Sequence, residues 1–478
     1  MPNIKFIHQL LPILVVSLII AFGLVIGPKM LGTAPVPLEM VFFLAASYTI
    51  GQLLFMGFGW KEIQDAVIRK LTKGFPAILI LFAIGIIIGS WIVSGTIPML
   101  VYYGIKLINP NYIYLLAFAI PIIFSTLTGT SWGSVGTIGA VIIGVATVID
   151  ADLGITAGAI IGGAYFGDKL SPLSDSTNIA AIATDVNLYE HIRSMLYTTI
   201  PSATIAAVAF FILGFVYPPL GQNTETQDTL AVLSGIATIF NFSPLLLLPP
   251  VIVLYGSLKK MPTLPVLITS SLTACLLAFV FQPFALDDII ASIHKGFDVT
   301  AATQMTDLPN TLYVLFNRGG MYELNEAIMF TFMVFVFIGA LDLIDAMPAI
   351  VTRSFRFVKT RSGTIVSSLL ATAFTNAATS NQSATSFIVG DAFKSQYEKY
   401  GIPKKVLSRS IEDYGTMIET LVPWHASTIF MSATLGVSFA EFWHWQLFAL
   451  INLVVAPVLA LTGIGCFYTE KNNDGEEA

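Results

Sequence analysis

The sequence predicts an all-α polytopic membrane protein built as an inverted repeat, each half supplying five crossings, one re-entrant hairpin and one broken helix. Three observations predict it. Of the 478 residues, 55% are hydrophobic and only 11% charged, against about 25% charged in a soluble domain, and mean hydropathy is +0.80. Basic residues collect on one side of one topology. A single offset aligns the unusual segments of the two halves.

A crossing needs about 20 apolar helical residues to span a core of ~30 Å. Leu10 to Ile26, Leu38 to Met56, Phe75 to Ser94, Met195 to Tyr217, Leu230 to Tyr255, Leu264 to Gln282, Glu326 to Met347 and Phe442 to Gly465 meet that requirement. The first run lacks a small-residue cleavage site and reads as a spanning helix rather than a signal peptide. Regions 112 to 184 and 363 to 436 are apolar but too long and too interrupted for plain spans. With both termini in the cytoplasm, 18 of the 23 Lys and Arg residues lie inside, the asymmetry expected of cytoplasmic loops. The arrangement requires 112 to 149 and 363 to 394 to enter and leave on the same face, as hairpins.

Each hairpin precedes an apolar segment interrupted by polar residues and a proline. An offset of 251 sets Pro172 on Pro423, Asp168 on Glu419 and Ser176-Thr177 on Ser427-Thr428, and carries Thr128 to Ser131 onto Thr379 to Gln382. Further upstream the offset falls to about 226 because the second half carries an insert near 298 to 325. The amphipathic stretch Trp60 to Phe75 then pairs with Asp287 to Phe297, both ending in Lys-Gly-Phe. Five crossings per half is an odd number, so the halves, residues 1–220 and 221–478, point in opposite directions. Interrupted helices in inverted repeats are a construction of secondary transporters, which bind at the midplane.

Ionisable groups at membrane depth are costly and therefore mark function. Asp168, Lys169 and Asp175 lie in the first break, and Glu412, Asp413, Glu419 and His425 in or near the second. A buried carboxylate that takes up a cation and a proton in turn is the minimum needed for antiport. Asp168, Glu419 and His425 are the candidates for proton coupling. Glu419 is favoured because only neutral residues, Thr416, Thr420 and Val422, surround it in sequence, whereas Lys169 adjoins Asp168 and is expected to neutralise it or Asp175. Glu412 and Asp413 are expected near the solvated cytoplasmic end. Hard oxygen ligands suited to sodium come from Thr128, Thr130, Ser131, Ser174, Asp175, Thr177 and Asn178 in the first half. The second half offers Asn376, Thr379, Ser380, Asn381, Ser383, Ser427 and Thr428.

Cys275 and Cys466 sit in apolar runs, so neither a disulfide framework nor a cysteine-based metal site is expected. There is no nucleotide-binding loop, which argues against a primary pump. The reading is a transporter rather than an enzyme, without a cofactor and without a nucleic-acid partner, sodium being cargo.

Four motifs carry a resemblance: GTSWGSVGTIGAVIIGVA (129–146), GAYFGDKLSPLSDSTNIAA (163–181), ATSNQSATSFIVGDAF (378–393) and RSIEDYGTMIETLVPWHASTIFMSATLGV (409–437). Through them the chain closely resembles the NhaC-type sodium/proton antiporter family of the wider ion-transporter superfamily. The resemblance implies a bacterial inner-membrane antiporter that exchanges cytoplasmic sodium for external protons. It also implies a homodimer with an elevator-like movement and sodium bound at hairpin tips and helix breaks. Some members resemble malate/lactate exchangers, which makes a small dicarboxylate or hydroxy acid the alternative cargo. The acidic balance of the site, with Lys169 its one deep cation, favours cation antiport.

Overall fold

The computed structural model describes residues 4–219, 227–305, 308–355 and 358–468, and among them every regular element is helical. The division at 220/221, Arg356 and the end of the chain beyond 468 lie outside the described residues. Among the described residues eight helices are long and apolar enough to cross a membrane, or ten if each of two bent pairs is one span.

Both segments expected to form hairpins fold as two helices joined by a tight turn. The first runs through Ile113–Thr128 and back through Ser131–Val148. Its two ends adjoin, because the Tyr114 hydroxyl accepts from the Asp152 amide at 3.0 Å and donates to the Tyr217 carbonyl at 3.1 Å. The second runs through Arg361–Thr379 and Gln382–Lys399, and Arg361 Nε donates to the Tyr400 carbonyl at 2.8 Å. Single cysteines introduced at Asn109 and at Asp152 are therefore expected to react with an impermeant thiol reagent from the same face of the membrane. Reaction from opposite faces would make residues 112 to 149 a crossing.

Each hairpin is followed by a helix in two pieces. Leu153–Leu170 starts on an N-cap, Asp152 accepting from the Ile155 amide at 2.9 Å, and stops where extended Ser171 leads into Pro172. It resumes as Asp175–Ala183. Glycines let the first piece lie directly on the hairpin: a Cβ at Gly163 would stand 2.1 Å from the Phe118 carbonyl oxygen, and one at Gly167 2.4 Å from the Thr126 nitrogen. Small-residue contacts of this kind bring membrane helices together where no hydrophobic effect drives them. The second broken helix consists of Lys404–Ile418 and Ala426–Leu435.

Two expectations need correction. The run Leu230 to Tyr255 is not one helix, since Gln227–Ile239 and the following piece are bent by 100°. The antiparallel neighbour of Thr263–Phe281 is the piece beyond the bend: Ser270 Oγ donates to the Pro249 carbonyl at 2.8 Å and Asn241 Nδ2 to the Phe281 carbonyl at 3.0 Å. Trp60 to Phe75 is not a separate amphipathic element either, because helix Trp60–Val93 is continuous for 34 residues, or about 51 Å at 1.5 Å per residue. Its second-half counterpart is divided. Leu286–His294 ends at Gly296, whose φ of 102° leaves the helix, and Asn325–Asp342 resumes after an excursion. That excursion is fastened to the long helix by the Gly320 amide, which donates to the Gly85 carbonyl at 2.7 Å.

Candidate functional site

The 251-residue offset pairs local geometry as well as letters. The first hairpin turns at Gly129, φ 70°, and the second at Ser380, φ 48°. Thr130 then caps the next helix by accepting from the Gly133 amide at 3.2 Å, as Asn381 does from Ala384 at 2.8 Å. Hydroxyls face one another across each tip, Thr128 to Ser134 at 3.4 Å and Thr379 to Thr385 at 3.2 Å. In the breaks, Ser174 accepts from the Thr177 amide at 3.4 Å and His425 Nδ1 from the Ser427 amide at 3.1 Å. The Thr177 and Thr428 hydroxyls reach back to the carbonyls of Asp168 and Glu419, at 3.3 and 2.6 Å.

Each tip docks on the break that follows it. A Cβ at Gly129 would lie 2.6 Å from Leu173 Cβ, and Ser380 Oγ accepts from the Ala426 amide at 2.8 Å. The halves also meet directly, the Trp132 ring stacking on Phe430 with centroids 4.3 Å apart. Unwound backbone in the two breaks is thus satisfied by side chains and neighbouring helices, the condition under which a membrane protein tolerates it.

Between tips and breaks lies a cavity of about 870 Å³. Among the sequence candidates, Thr128, Thr130, Ser131, Asp168, Asp175 and Asn178 line it from the first half, and Ser380, Asn381, Ser383, Glu419, His425 and Ser427 from the second. Ser174, Thr177, Asn376, Thr379 and Thr428 do not belong to the lining; their side chains hold turns and breaks through the bonds just given, and Asn376 Nδ2 donates to the Gly415 carbonyl at 2.8 Å. Lys73 and Lys260 also border the cavity.

Two of the three acids of the lining, Asp168 and Glu419, are held by hydroxyl donors. Asp168 accepts from Ser131 at 2.7 Å. Glu419 Oε2 accepts from Ser427 at 2.7 Å and from Tyr165 at 2.9 Å. Tyr165 was not among the sequence candidates, although it stands one helical turn before Asp168 and so on the same face. Lys169 neutralises neither Asp168 nor Asp175. Its ammonium is fully buried against Asp413, which also accepts from Thr198 at 2.8 Å and lies 3.9 Å from Arg409 Nε. Nor are Glu412 and Asp413 solvated at a membrane face, both being at most 1% exposed. Glu412 accepts from Ser176 at 2.9 Å and from Gln382 at 3.3 Å, two residues of the lining.

With this geometry in hand, comparison with known proteins is direct. The model of the Na+/H+ antiporter family matches residues 163–464, which contain both breaks and the second hairpin. A protein of Haemophilus influenzae described as an uncharacterized Na(+)/H(+) antiporter is 38% identical over 96% of both chains. The malate-2H(+)/Na(+)-lactate antiporter of Bacillus subtilis is 32% identical over 95% of this chain and 96% of its own. The Na(+)/H(+) antiporter NhaC of Alkalihalophilus pseudofirmus is 33% identical over 90% of each. Family model and full-length relatives agree: the chain belongs to the Na+/H+ antiporter family.

Proposed function

We propose that the protein is a secondary active antiporter that exchanges cytoplasmic sodium for external protons at the cavity between the hairpin tips and helix breaks. The observation that carries the reading is the placement of two hydroxyl-bonded carboxylates, Asp168 and Glu419, at matching points of the two broken helices and in one cavity. Glu419 is the proton carrier and Asp168, with Asp175, the cation-side group. Hydroxyl and amide oxygens of Thr128, Thr130, Ser131, Asn178, Ser380, Asn381, Ser383 and Ser427 supply neutral donors for sodium.

His425 takes a different part from proton transfer. Its Nδ1 accepts a backbone N–H and its Nε2 stands 3.3 Å from Asn376 Oδ1, so the ring is the neutral tautomer that donates from Nε2. We assign it to capping the second half-helix. The two halves are read as an inverted repeat. Their support is the shared geometry of tips and breaks and the distribution of basic residues. Lys73, in the first part of helix Trp60–Val93, and Lys260, on the loop before Thr263–Phe281, both in segments that the charge distribution puts in the cytoplasm, border the cavity, so we read the state described here as cytoplasm-facing. A homodimer in the inner membrane of a bacterium, with both termini inside, completes the reading and rests on the family resemblance and the same charge distribution.

The malate/lactate reading is favoured by one observation, the two ammonium groups at the edge of a cavity large enough for a small organic acid. The test is a pH-dye assay in everted vesicles, with sodium, lithium or potassium added and malate and lactate supplied in parallel. Sodium-driven proton movement without either acid is expected. Proton movement that requires an acid would overturn cation antiport in favour of the exchange of anions.

A further inference from the structure

Glu412 is a fourth acid at the site, beside Asp168, Asp175 and Glu419, and has no place in the scheme above. It is wholly buried, and among the described residues no Lys, Arg or His nitrogen comes within 4.0 Å of it, the Lys169 ammonium being committed to Asp413. A carboxylate at that depth without a paired cation is costly. Its neighbours are hydrogen-bond donors on the cavity wall. Oε1 accepts from Ser176 and Oε2 from Gln382, so one hydroxyl and one amide of the cavity wall bond the acid, and the Thr416 hydroxyl, also on the wall, stands one helical turn on. An amide donates but does not pass protons on. A hydroxyl does both, since it can give its hydrogen to one partner while accepting another at its lone pair.

We propose that Glu412 is a second proton-carrying acid of the transport site, loaded and unloaded through the Ser176 hydroxyl. The proposal rests on the proton-antiport reading and deepens it. In the loading step a hydronium ion in the cavity gives a proton to Ser176 Oγ and is left as water, while the hydrogen already on Oγ passes to Glu412 Oε1. The serine ends as it began, the carboxylate becomes a carboxylic acid, and the positive charge of the incoming proton is cancelled by the carboxylate. Unloading is the reverse.

The electrostatic setting of Glu412 comes from six packed helices. Leu153–Leu170 presents Asp168 and Lys169 to it, and Asp175–Ala183 carries Asp175 beside Ser176. Leu188–Val216 contributes His191, whose ring bonds Ser408 at 2.8 Å. Arg361–Thr379 has no ionisable side chain beyond its first residue, Gln382–Lys399 none before Asp391, and Leu447–Thr462 none at all. On its own helix stand Arg409 and Asp413, already joined with Lys169, and Glu419 follows it two turns on. Loading of Asp168 or Glu419 with a proton or a cation removes negative charge near Glu412, so the three acids titrate as a coupled set.

The experiment is the zero-flux measurement in proteoliposomes, in which an imposed sodium gradient is balanced against pH and potential gradients to read the number of protons exchanged per sodium. Glu412→Gln keeps an acceptor for Ser176 and an amide near Gln382, and is expected to lower that number by one and to flatten the dependence of rate on pH, at unchanged sodium KM. Ser176→Ala keeps the acid but removes its path, and is expected to slow exchange at least tenfold at unchanged stoichiometry. An active Glu412→Gln protein with the parental proton number and pH profile would overturn the proposal. If Glu412→Gln does not fold, a Ser176→Ala protein with parental rate and pH profile overturns it as well. Absence of any sodium-driven proton flux in the parent protein would instead remove the antiport reading on which the proposal stands.

Discussion

Glu419→Gln is expected to insert and fold at parental levels and to lose sodium-driven proton movement by roughly 100-fold or more, the scale associated with removing a proton-transfer group. The amide is close in size to the acid, and its oxygen can still accept from Ser427 and Tyr165, the two donors on Glu419 Oε2. What it loses is the ability to bind and release a proton. Sodium/sodium exchange should therefore survive, measurable as tracer exchange at equal sodium on both sides. Asp168→Asn should do the opposite, raising the sodium KM while leaving protons coupled, because Asp168 faces the same cavity and accepts from Ser131. Normal sodium-driven proton flux in Glu419→Gln, at ordinary expression and with an unshifted pH profile, would remove Glu419 from the coupling step.

The parts of the site that were legible in the sequence are those where polar residues interrupt an apolar run. Thr128 to Ser131, Ser174 to Asn178 and their second-half partners stand out because nothing but a tip or a break accommodates them in a membrane. The structure shows which of them turn inward. Thr177 and Thr428 look like ligands by composition, yet both bond back to the carbonyl nine residues earlier. That distinction depends on helix rotation and unwinding, which spacing alone does not encode. Lys169 misled for a related reason. Neighbours in sequence on a helix do not face each other, so its ammonium turns away from Asp168 toward Asp413, 244 residues on.

The fold errors also have physical causes. Hydropathy is blind to the direction of the chain, so a bent pair reads like a straight span. Within Leu230 to Tyr255 the signal was Ser243-Pro244, a capping residue followed by proline at the first helical position. Ser243 does cap a new turn there, accepting from the Leu245 amide at 3.4 Å. The amphipathic stretch Trp60 to Phe75 is expected to end in Lys73-Gly74-Phe75, but Gly74 stays helical and serves close packing: a Cβ there would fall 2.1 Å from a Phe335 ring carbon. Lys295-Gly296-Phe297 repeats the letters with the opposite result, since Gly296 does adopt a positive φ. Tertiary contacts decide between the two uses of glycine, and those contacts lie far away in sequence.

The largest loss of folded protein is expected from separating Lys169 and Asp413. Their pair joins the first broken helix to the second, and both side chains are at most 1% exposed. Replacing the lysine, as in Lys169→Met, leaves an anion with Thr198, Asn452 and a guanidinium 3.9 Å away as its remaining partners. Breaking a buried pair by removing one member costs about 3–5 kcal/mol, whereas replacing both by apolar groups is often close to neutral. Asp413→Asn should be equally severe because it leaves Lys169 and Arg409 with no carboxylate between them. The double variant Lys169→Met/Asp413→Leu removes both charges, and Arg409 keeps the Gly465 carbonyl at 2.8 Å. The yield of monodisperse protein after detergent extraction should therefore collapse in each single variant and recover in part in the double one. A Lys169→Met protein that extracts like the parent but does not transport would show that the pair serves the ion pathway rather than the joint between the broken helices.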